Sequence, residues 1–107
     1  MLFRSGASQS TKVGTAQSIA VGTDQSIKVV GGRVSDVGKD DSEKVGKNFV
    51  LDAGDSITIK TGSASITMKK DGTITITGKD VSIQGSGKIN LKADSDIVMK
   101  GAKITQN

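Results

Sequence analysis

The feature that most constrains the fold of this chain is a repeat of eight residues. Valine recurs at every eighth position from Val13 to Val45, and glycine follows it in most repeats. Divided at this period, the chain reads VGTAQSIA, VGTDQSIK, VVGGRVSD, VGKDDSEK and VGKNFVLD. A short fixed period is typical of repeat proteins, in which each unit packs mainly on its neighbours. The sequence therefore predicts a stack of similar short units.

A second pattern, of apolar residues two positions apart, predicts strands within these units. Side chains at i and i+2 lie on one face of a β-strand, and Ile, Val and Thr dominate here, as strands favour. Glycines mark the bends, and no stretch combines helical periodicity with capping residues. The predicted fold is all-β, with one strand and one corner per unit. The pairs are Phe49 and Leu51, Ile57 and Ile59, Ile66 and Met68, Ile74 and Ile76, Val81 and Ile83, Ile89 and Leu91, and Ile97 and Met99.

The spacing of the pairs predicts which residues point inward. Eight is an even number, so the inward residues keep odd numbers as far as Ile59. A step of nine changes them to even numbers from Ile66, and a step of seven returns them to odd numbers at Val81. A slip of one residue turns every side chain to the other face. We therefore expect corners, at 69–72 and 78–80, to absorb the extra and the missing residue.

One apolar pair per strand cannot close a core within a single chain. The chain has 107 residues, of which 34% are hydrophobic, and its aromatic residues are Phe3 and Phe49. Small domains are already short of buried surface, so we predict that three copies wind together. The predicted architecture is an intertwined homotrimeric triangular β-helix, a prism of octapeptide units whose inward pairs meet on a shared axis. The predicted trimer core consists of Ile19, Val21, Ile27, Val29, Leu51, Ile57, Ile59, Ile66, Met68, Ile74, Ile76, Val81, Ile83, Ile89, Leu91, Ile97 and Met99.

Three parts are predicted along the chain. Residues 1–12 form an N-terminal flank or the start of an expressed segment, 13–48 carry the looser octads, and 49–107 form a tight needle that ends in a tip. Within 29–48 charged residues occupy inward positions, and two interpretations stay open: a channel filled with ions or water, or an irregular loop. Burying an unpaired charge is costly, so a channel would have to pair or hydrate them. These residues are Arg33, Lys39, Asp41, Glu43 and Lys47.

Composition argues against most chemistry. The chain has no His and no Cys, which removes the usual nucleophile pairs and ordinary zinc sites. We predict no enzyme activity, no cofactor and no catalytic or metal residue. The net charge of +4 comes from scattered lysines without interleaved aromatic residues, so nucleic-acid binding is not expected. A left-handed β-helix acyltransferase would need a six-residue repeat and a catalytic His, and this chain has neither.

Three smaller patterns have a functional and a plainer interpretation, and the plainer one is favoured in each. Asp80, Asp94 and Asp96 could suggest calcium, but they lack the nonapeptide pattern and are expected to be solvated. Gly85-Ser86-Gly87 is half of a phosphate loop without the strand-to-helix context, and is predicted to be a corner. The outward hydroxyl residues are expected to form a polar skin rather than an ice-binding face. They are Thr58, Thr67, Thr75 and Ser82.

The octads, together with DAGDSITIKTG followed by SITMKKDGTITI, resemble the C-terminal β-helix of VgrG spike proteins of the type VI secretion system. The resemblance implies a structural, membrane-piercing needle, assembled in the bacterial cytoplasm and then secreted into the medium or a target cell, with transient contact with the target membrane. It also implies docking of a PAAR-repeat cone and of secreted effectors, and attachment to the tail tube through an N-terminal hub that this chain lacks. The needle of a contractile phage or pyocin-like spike is the alternative. In comparison with a full spike protein, we expect this chain to be a fragment without a C-terminal effector extension.

The last strand is predicted to be the partner-binding tip. Its backbone groups would have no further strand to pair with, which leaves an edge open to strand addition. A simple polar cap that prevents end-to-end stacking is an equally good interpretation of the residues alone. The resemblance favours docking of the cone. The tip residues are Lys103, Ile104, Thr105, Gln106 and Asn107.

Overall fold

The chain is all-β over the part that its structure, a computed structural model, describes. These residues are 8–107, so the first seven positions of the predicted flank lie outside the described residues. Within this range there are three strands and no helix. The strands are β1 (Ser56–Thr61), β2 (Ala64–Lys69) and β3 (Ile74–Thr77). The predicted secondary-structure class is confirmed, and the three-chain prism stays a prediction.

The chain divides into two units, one that ends at Lys44 and one that begins at Val45. In the first unit the described backbone bends at 14–15, 22–23, 30–31 and 38–39. These bends are eight residues apart and lie at the second and third residues of each octad. The backbone of the charged segment therefore bends at the same spacing as the neighbouring octads, which is expected if the segment continues the repeat and is not an irregular loop. The predicted boundaries at 12 and 48 stay predictions.

The second unit continues the same spacing on both sides of a small sheet. Its bends and turns lie at 46–47, 54–55, 62–63, 70–72, 79–80, 86–87, 94–95 and 102. Turns therefore lie at both predicted corners, 69–72 and 78–80. Since glycine occurs at or beside most of these positions, the local chain direction follows the repeat even where no strand pairing is present.

The sheet is an antiparallel meander in the order β1-β2-β3. In the first pair, Ile57 lies opposite Met68 and Ile59 opposite Ile66. In the second pair, Ile66 lies opposite Ile76, and Met68 lies opposite Ile74. Cross-strand partners share a face of a sheet, so the alternating sequence places every apolar residue of the meander on one side.

The turn between β1 and β2 corrects the predicted position of the first parity change. Thr61 pairs with Ala64 across the two-residue loop Gly62-Ser63. Gly62 has φ +55° and Ser63 has no positive φ, which is the pattern of a type II′ hairpin turn. A two-residue loop pairs odd-numbered residues with even-numbered ones. The extra residue is therefore absorbed at Gly62-Ser63 and not at 69–72.

The turn between β2 and β3 has a three-residue loop. The N–H of Gly72 donates to the carbonyl of Lys69 at 3.0 Å, and the N–H of Lys69 donates to the carbonyl of Thr73 at 3.0 Å. Gly72 has φ +94°, a conformation that glycine adopts without steric cost. A turn followed by a left-handed glycine is typical of three-residue hairpin loops. This loop preserves parity, so Met68 and Ile74 both stay on the apolar face.

Candidate functional site

The most distinctive surface of the described chain is the apolar face of the meander. It consists of three apolar pairs, one from each strand, aligned by the register. Ile57 is half-buried, whereas Ile59 and Ile76 are 58% and 62% exposed. Contiguous apolar surface of this kind marks an interaction site in soluble proteins. We call this surface the isoleucine face. Its residues are Ile57, Ile59, Ile66, Met68, Ile74 and Ile76.

The opposite face of the meander is polar. Thr58, Thr67 and Thr75 lie in one row across the three strands. Thr67, in the central strand, is half-buried by its neighbours. Lys60 lies beside Ser65 on the same face. The predicted outward hydroxyl row is thus formed by three of its four members, since Ser82 lies beyond β3.

A groove of about 380 Å³ runs along one end of the isoleucine face. Ile59, Ile66 and Ile76 line the groove, and the chain that follows β3 contributes Val81 to the same lining. A Cβ on Gly78 would lie 3.4 Å from the Cγ2 of Val81, so the side chain of Val81 lies close to the backbone of Gly78. The groove is predominantly apolar, so it is suited to apolar side chains rather than to a polar substrate.

The chain by itself exposes far more surface than a compact protein of its size. Its accessible surface is 11933 Å². A folded 11.0 kDa monomer would expose about 5,600 Å² and its unfolded chain about 16,000 Å². Among the described residues no hydrophobic side chain is buried. The structure of one chain therefore lacks a core of its own.

The remaining predicted core residues are also exposed in one chain. Ile83 is the most exposed of them, at 75%, and Ile19 and Leu91 follow at 71%. Val21 and Val29 are the least exposed among those outside the sheet, at 46% and 47%. The structure brings six core residues together on the isoleucine face, adds Val81 to the groove along one end of it, and leaves the others outside the sheet. Their predicted meeting on a trimer axis stays a prediction.

The charged residues of the sheet stabilise its turns. The N–H of Thr73 donates to the Oδ1 of Asp71 at 3.0 Å, and this bond, together with one from the Thr73 hydroxyl, lowers the pKa of Asp71. Lys70 donates its backbone N–H to the carbonyl of Asp55 at 3.0 Å. Its Nζ lies 3.4 Å from the Oδ1 of Asp55, with both side chains largely exposed. These contacts extend the β1–β2 ladder by one residue.

The charged octads of the first unit form a second, polar groove. It encloses about 670 Å³ and is lined by Arg33, Ser35, Asp41, Ser42 and Glu43. Three of the five predicted inward charges therefore share one groove. Lys39 and Lys47 do not line it; both lie at bends of the backbone.

The predicted tip residues are exposed and lie outside the strands. Ile104 is 56% exposed. The backbone bends at residue 102, and a Cβ on Gly101 would lie 3.5 Å from the carbonyl oxygen of Lys103. The chain therefore turns just before the tip and presents Ile104 among polar neighbours. Its role in docking stays a prediction.

The other candidate sites do not come together. Over residues 8–107 no three His, Cys, Asp or Glu side chains are placed to hold a metal ion, so Asp80, Asp94 and Asp96 form no common cluster. Gly85 lies at a tight corner, where a Cβ would approach Ile89 Cγ1 to 3.0 Å. In the same range no helix is long and apolar enough to cross a membrane.

Sequence reasoning missed the pairing of β1, β2 and β3 within one chain. It treated each apolar pair as an isolated strand that pairs with other chains. The available signal was Gly62-Ser63, a two-residue turn sequence between two alternating runs, which is typical of a hairpin. Asp71 as a turn-stabilising residue was also missed, although Asp-Gly is a turn sequence.

Comparison with known proteins confirms the resemblance to VgrG. Over 59 residues, 55% of its length, the chain is 56% identical to the type VI secretion system spike protein VgrG1b of Pseudomonas aeruginosa strain PAO1. The matched region spans 8% of that relative's length. No family model matches the chain. The similarity indicates that this chain is related to a part of such a spike protein.

Proposed function

We propose that this chain forms one third of a trimeric, non-enzymatic spike needle in a contractile injection machine of the type VI secretion class. The observation that carries the proposal is the isoleucine face: six apolar side chains that are aligned by strand register, none of them buried by its own chain. Three copies would cover these faces together. The similarity to a VgrG spike protein supports the same assignment.

The corner glycines support close approach by another copy. Gly14, Gly22 and Gly46 have no positive φ, and nothing of their own chain lies within 4 Å of a Cβ built on them. Neither backbone conformation nor crowding within one chain therefore requires glycine there. Close backbone approach is the other common reason for glycine in a strand or corner, and in the trimer the approaching backbone belongs to a partner.

The mechanism of the needle is mechanical. Strand pairing between chains would join successive levels of the prism and leave few free lateral edges. Such a rod transmits the force of a contracting sheath to the target membrane. It would assemble in the cytoplasm and then leave the cell with its effectors. Attachment to the tail tube would require a hub domain. The VgrG1b relative is much longer than this chain and is long enough to contain one.

The mass of the assembly in solution tests the trimer. Light scattering after size exclusion should give three times the chain mass of 11.0 kDa, with no folded monomer on dilution. A stable, folded monomer would sink the proposal. Three intertwined chains must also separate together, so unfolding should be slow and dependent on scan rate.

The tip is proposed to dock a PAAR-repeat cone. Ile104, 56% exposed, would provide an apolar centre surrounded by Thr105, Gln106 and Asn107, next to unpaired backbone groups that accept an added strand. Removing residues 103–107 should leave the trimer intact, because the predicted core lies upstream, and should abolish pull-down of the cognate cone. As a matched control, removing residues 8–12 should leave cone binding unchanged. Undiminished binding by the chain without 103–107 would place the docking site elsewhere.

A phage or pyocin-like needle is the second candidate, because the same physics would build it. The 56% identity to a type VI spike protein favours the secretion system. Pull-down with a type VI cone against a phage tail-tip protein would separate the two, since only the correct partner should bind the trimer.

A further inference from the structure

The repeats of the first unit leave the alignment of three chains undetermined. VGTAQSIA and VGTDQSIK, residues 13–28, share six of their eight positions. Sliding one chain by eight residues would place Ile27 where Ile19 had been and Val29 where Val21 had been. The apolar contacts would be the same after the slide. Residues with a weakly specified register are prone to such slippage, so another feature has to align the chains.

The charged octads break this degeneracy. Arg33 and Asp41 occupy the octad position that holds Gln25 in the preceding repeat and Phe49 in the following one. Two positions further on, Ser35 and Glu43 occupy the place of the apolar Ile27 and Leu51. Two successive repeats are therefore polar at the position where both neighbouring repeats carry Ile27 or Leu51, and charged at the position that lies between Gln25 and Phe49. Within the first unit, this difference is the strongest that distinguishes one level of the stack from another.

The structure places the four polar residues together. Arg33, Ser35, Asp41 and Glu43 line one groove of about 670 Å³. The backbone bends that bracket them, at 30–31, 38–39 and 46–47, keep the octad spacing. All four residues are exposed in one chain. Among residues 8–107 the ion pair within the chain joins Lys70 to Asp55, so the charge of Arg33 is not paired with these acids in a single chain.

We propose that Arg33, Ser35, Asp41 and Glu43 form a polar layer that aligns three copies of this chain by pairing charges between them. This inference rests on the proposed trimer. The partner is a second and third copy, as the complementary charges within one groove indicate. Neighbouring strands lie about 4.8 Å apart, so Arg33 of one chain reaches the carboxylates of Asp41 and Glu43 on the next level. Lys39 and Lys47, at the bends, remain outside the layer.

A slip of one octad destroys this arrangement. It would bring Phe49 of the displaced chain between two copies of Asp41, and Glu43 beside Leu51. Arg33 would lie with Gln25 and lose its carboxylate partners. An uncompensated charge in a water-poor interior is strongly unfavourable, and a single buried polar position can define the register of an assembly of helices in the same way. In the aligned trimer each Arg33 has a carboxylate partner, which the Arg33 of a displaced chain loses.

Cross-linking of single cysteines measures the register directly, because the natural chain has no Cys. Chains that carry Val21→Cys are mixed with chains that carry Val37→Cys, refolded together and oxidised. In the aligned trimer the two positions are two levels apart, about 10 Å, beyond the roughly 7 Å between Cα atoms that a disulfide spans. After a slip they are on adjacent levels. In a parallel experiment, chains with Val21→Cys are mixed with chains with Val29→Cys. These two positions lie on adjacent levels of the aligned trimer, so their cross-link reports correct assembly.

The decisive comparison is between the natural layer and an apolar one. With the natural layer we expect the 21–29 cross-link and no 21–37 cross-link. Replacing Arg33, Asp41 and Glu43 by Leu should leave the trimer assembled, because apolar substitution of a buried ionic group is often neutral or stabilising, and the 21–37 cross-link should appear. The matched control, Asp36→Asn with Asp40→Asn, changes charges at outward positions and should keep the natural pattern.

The outcomes separate the layer from the trimer. An apolar-layer variant that assembles and stays aligned overturns the inference. If that variant fails to assemble, the swap of Arg33→Asp with Asp41→Arg decides: an aligned swap supports charge pairing, and a slipped one refutes it. Val→Cys chains with the natural layer that have the mass of one chain and give neither cross-link refute the proposed trimer instead.

Discussion

Replacing Ile76 by Asp tests whether the isoleucine face is the interior of the assembly. Ile76 lies in β3 opposite Ile66, and it is 62% exposed in one chain. Complete burial of an Ile side chain stabilises by about 1.5–3 kcal/mol. The part still available to a partner is therefore about 1–2 kcal/mol per chain at that exposed fraction.

The effect is multiplied because each chain of a trimer carries the substitution. Loss of the apolar contacts alone amounts to about 3–6 kcal/mol per trimer, which corresponds to about two to four orders of magnitude in the association constant. Three carboxylates without partners on the axis add a cost of several kcal/mol per ion. The Ile76→Asp chain is therefore expected not to assemble at micromolar concentration.

The neighbouring residue provides the matched control. Thr75 lies opposite Thr67 on the polar face, so Thr75→Asp adds the same charge to the same strand without entering the interior. We expect a change of at most about 1 kcal/mol from reduced strand propensity. Sedimentation equilibrium at pH 7 over a range of concentrations measures both variants. A trimeric Ile76→Asp chain, or equal dissociation of the two variants, would refute the assignment of the faces.

Three further predictions concern the turns of the meander. Gly72→Ala should destabilise by about 1–2 kcal/mol in thermal unfolding, because φ is +94° there; an unchanged transition would mean that the turn rearranges freely. Lys70→Ala should cost less than about 1 kcal/mol, since its ion pair with Asp55 is exposed, and a larger loss would contradict that estimate. Hydrogen bonds from Thr73 hold the pKa of Asp71 below its ordinary value of 3.8, so the contribution of Asp71 is present above that pH and is lost as the pH falls through its folded pKa. Asp71→Asn should remove this part of the acid sensitivity, and an unaltered acid transition would show that other carboxylates control it.

The residues by themselves determined the local structure of this protein. Alternation of Ile and Thr from Ile57 to Ile76 is a property of neighbouring positions, so it predicts strands and their two faces before any contact is known. The octad spacing likewise predicted bends, which occur at 14–15, 22–23 and each later boundary. The resemblance to VgrG also rested on local phrases of sequence, and comparison confirms it.

Tertiary structure decided which strands pair. Whether Ile57 lies opposite Met68 of its own chain or beside another copy depends on contacts between distant residues, and no local pattern contains that information. The two-residue loop at Gly62-Ser63 changes parity, whereas the three-residue loop after Lys69 preserves it, and this difference places the six apolar residues on one face. The loop geometry depends on a positive φ at Gly62, which a glycine permits but does not require. The sequence therefore determined the bends and the three strands of the meander, but it also predicted strands at 49–51, 81–83, 89–91 and 97–99 that the described chain does not form by itself. The folded chain decided how the three strands combine into one exposed apolar surface.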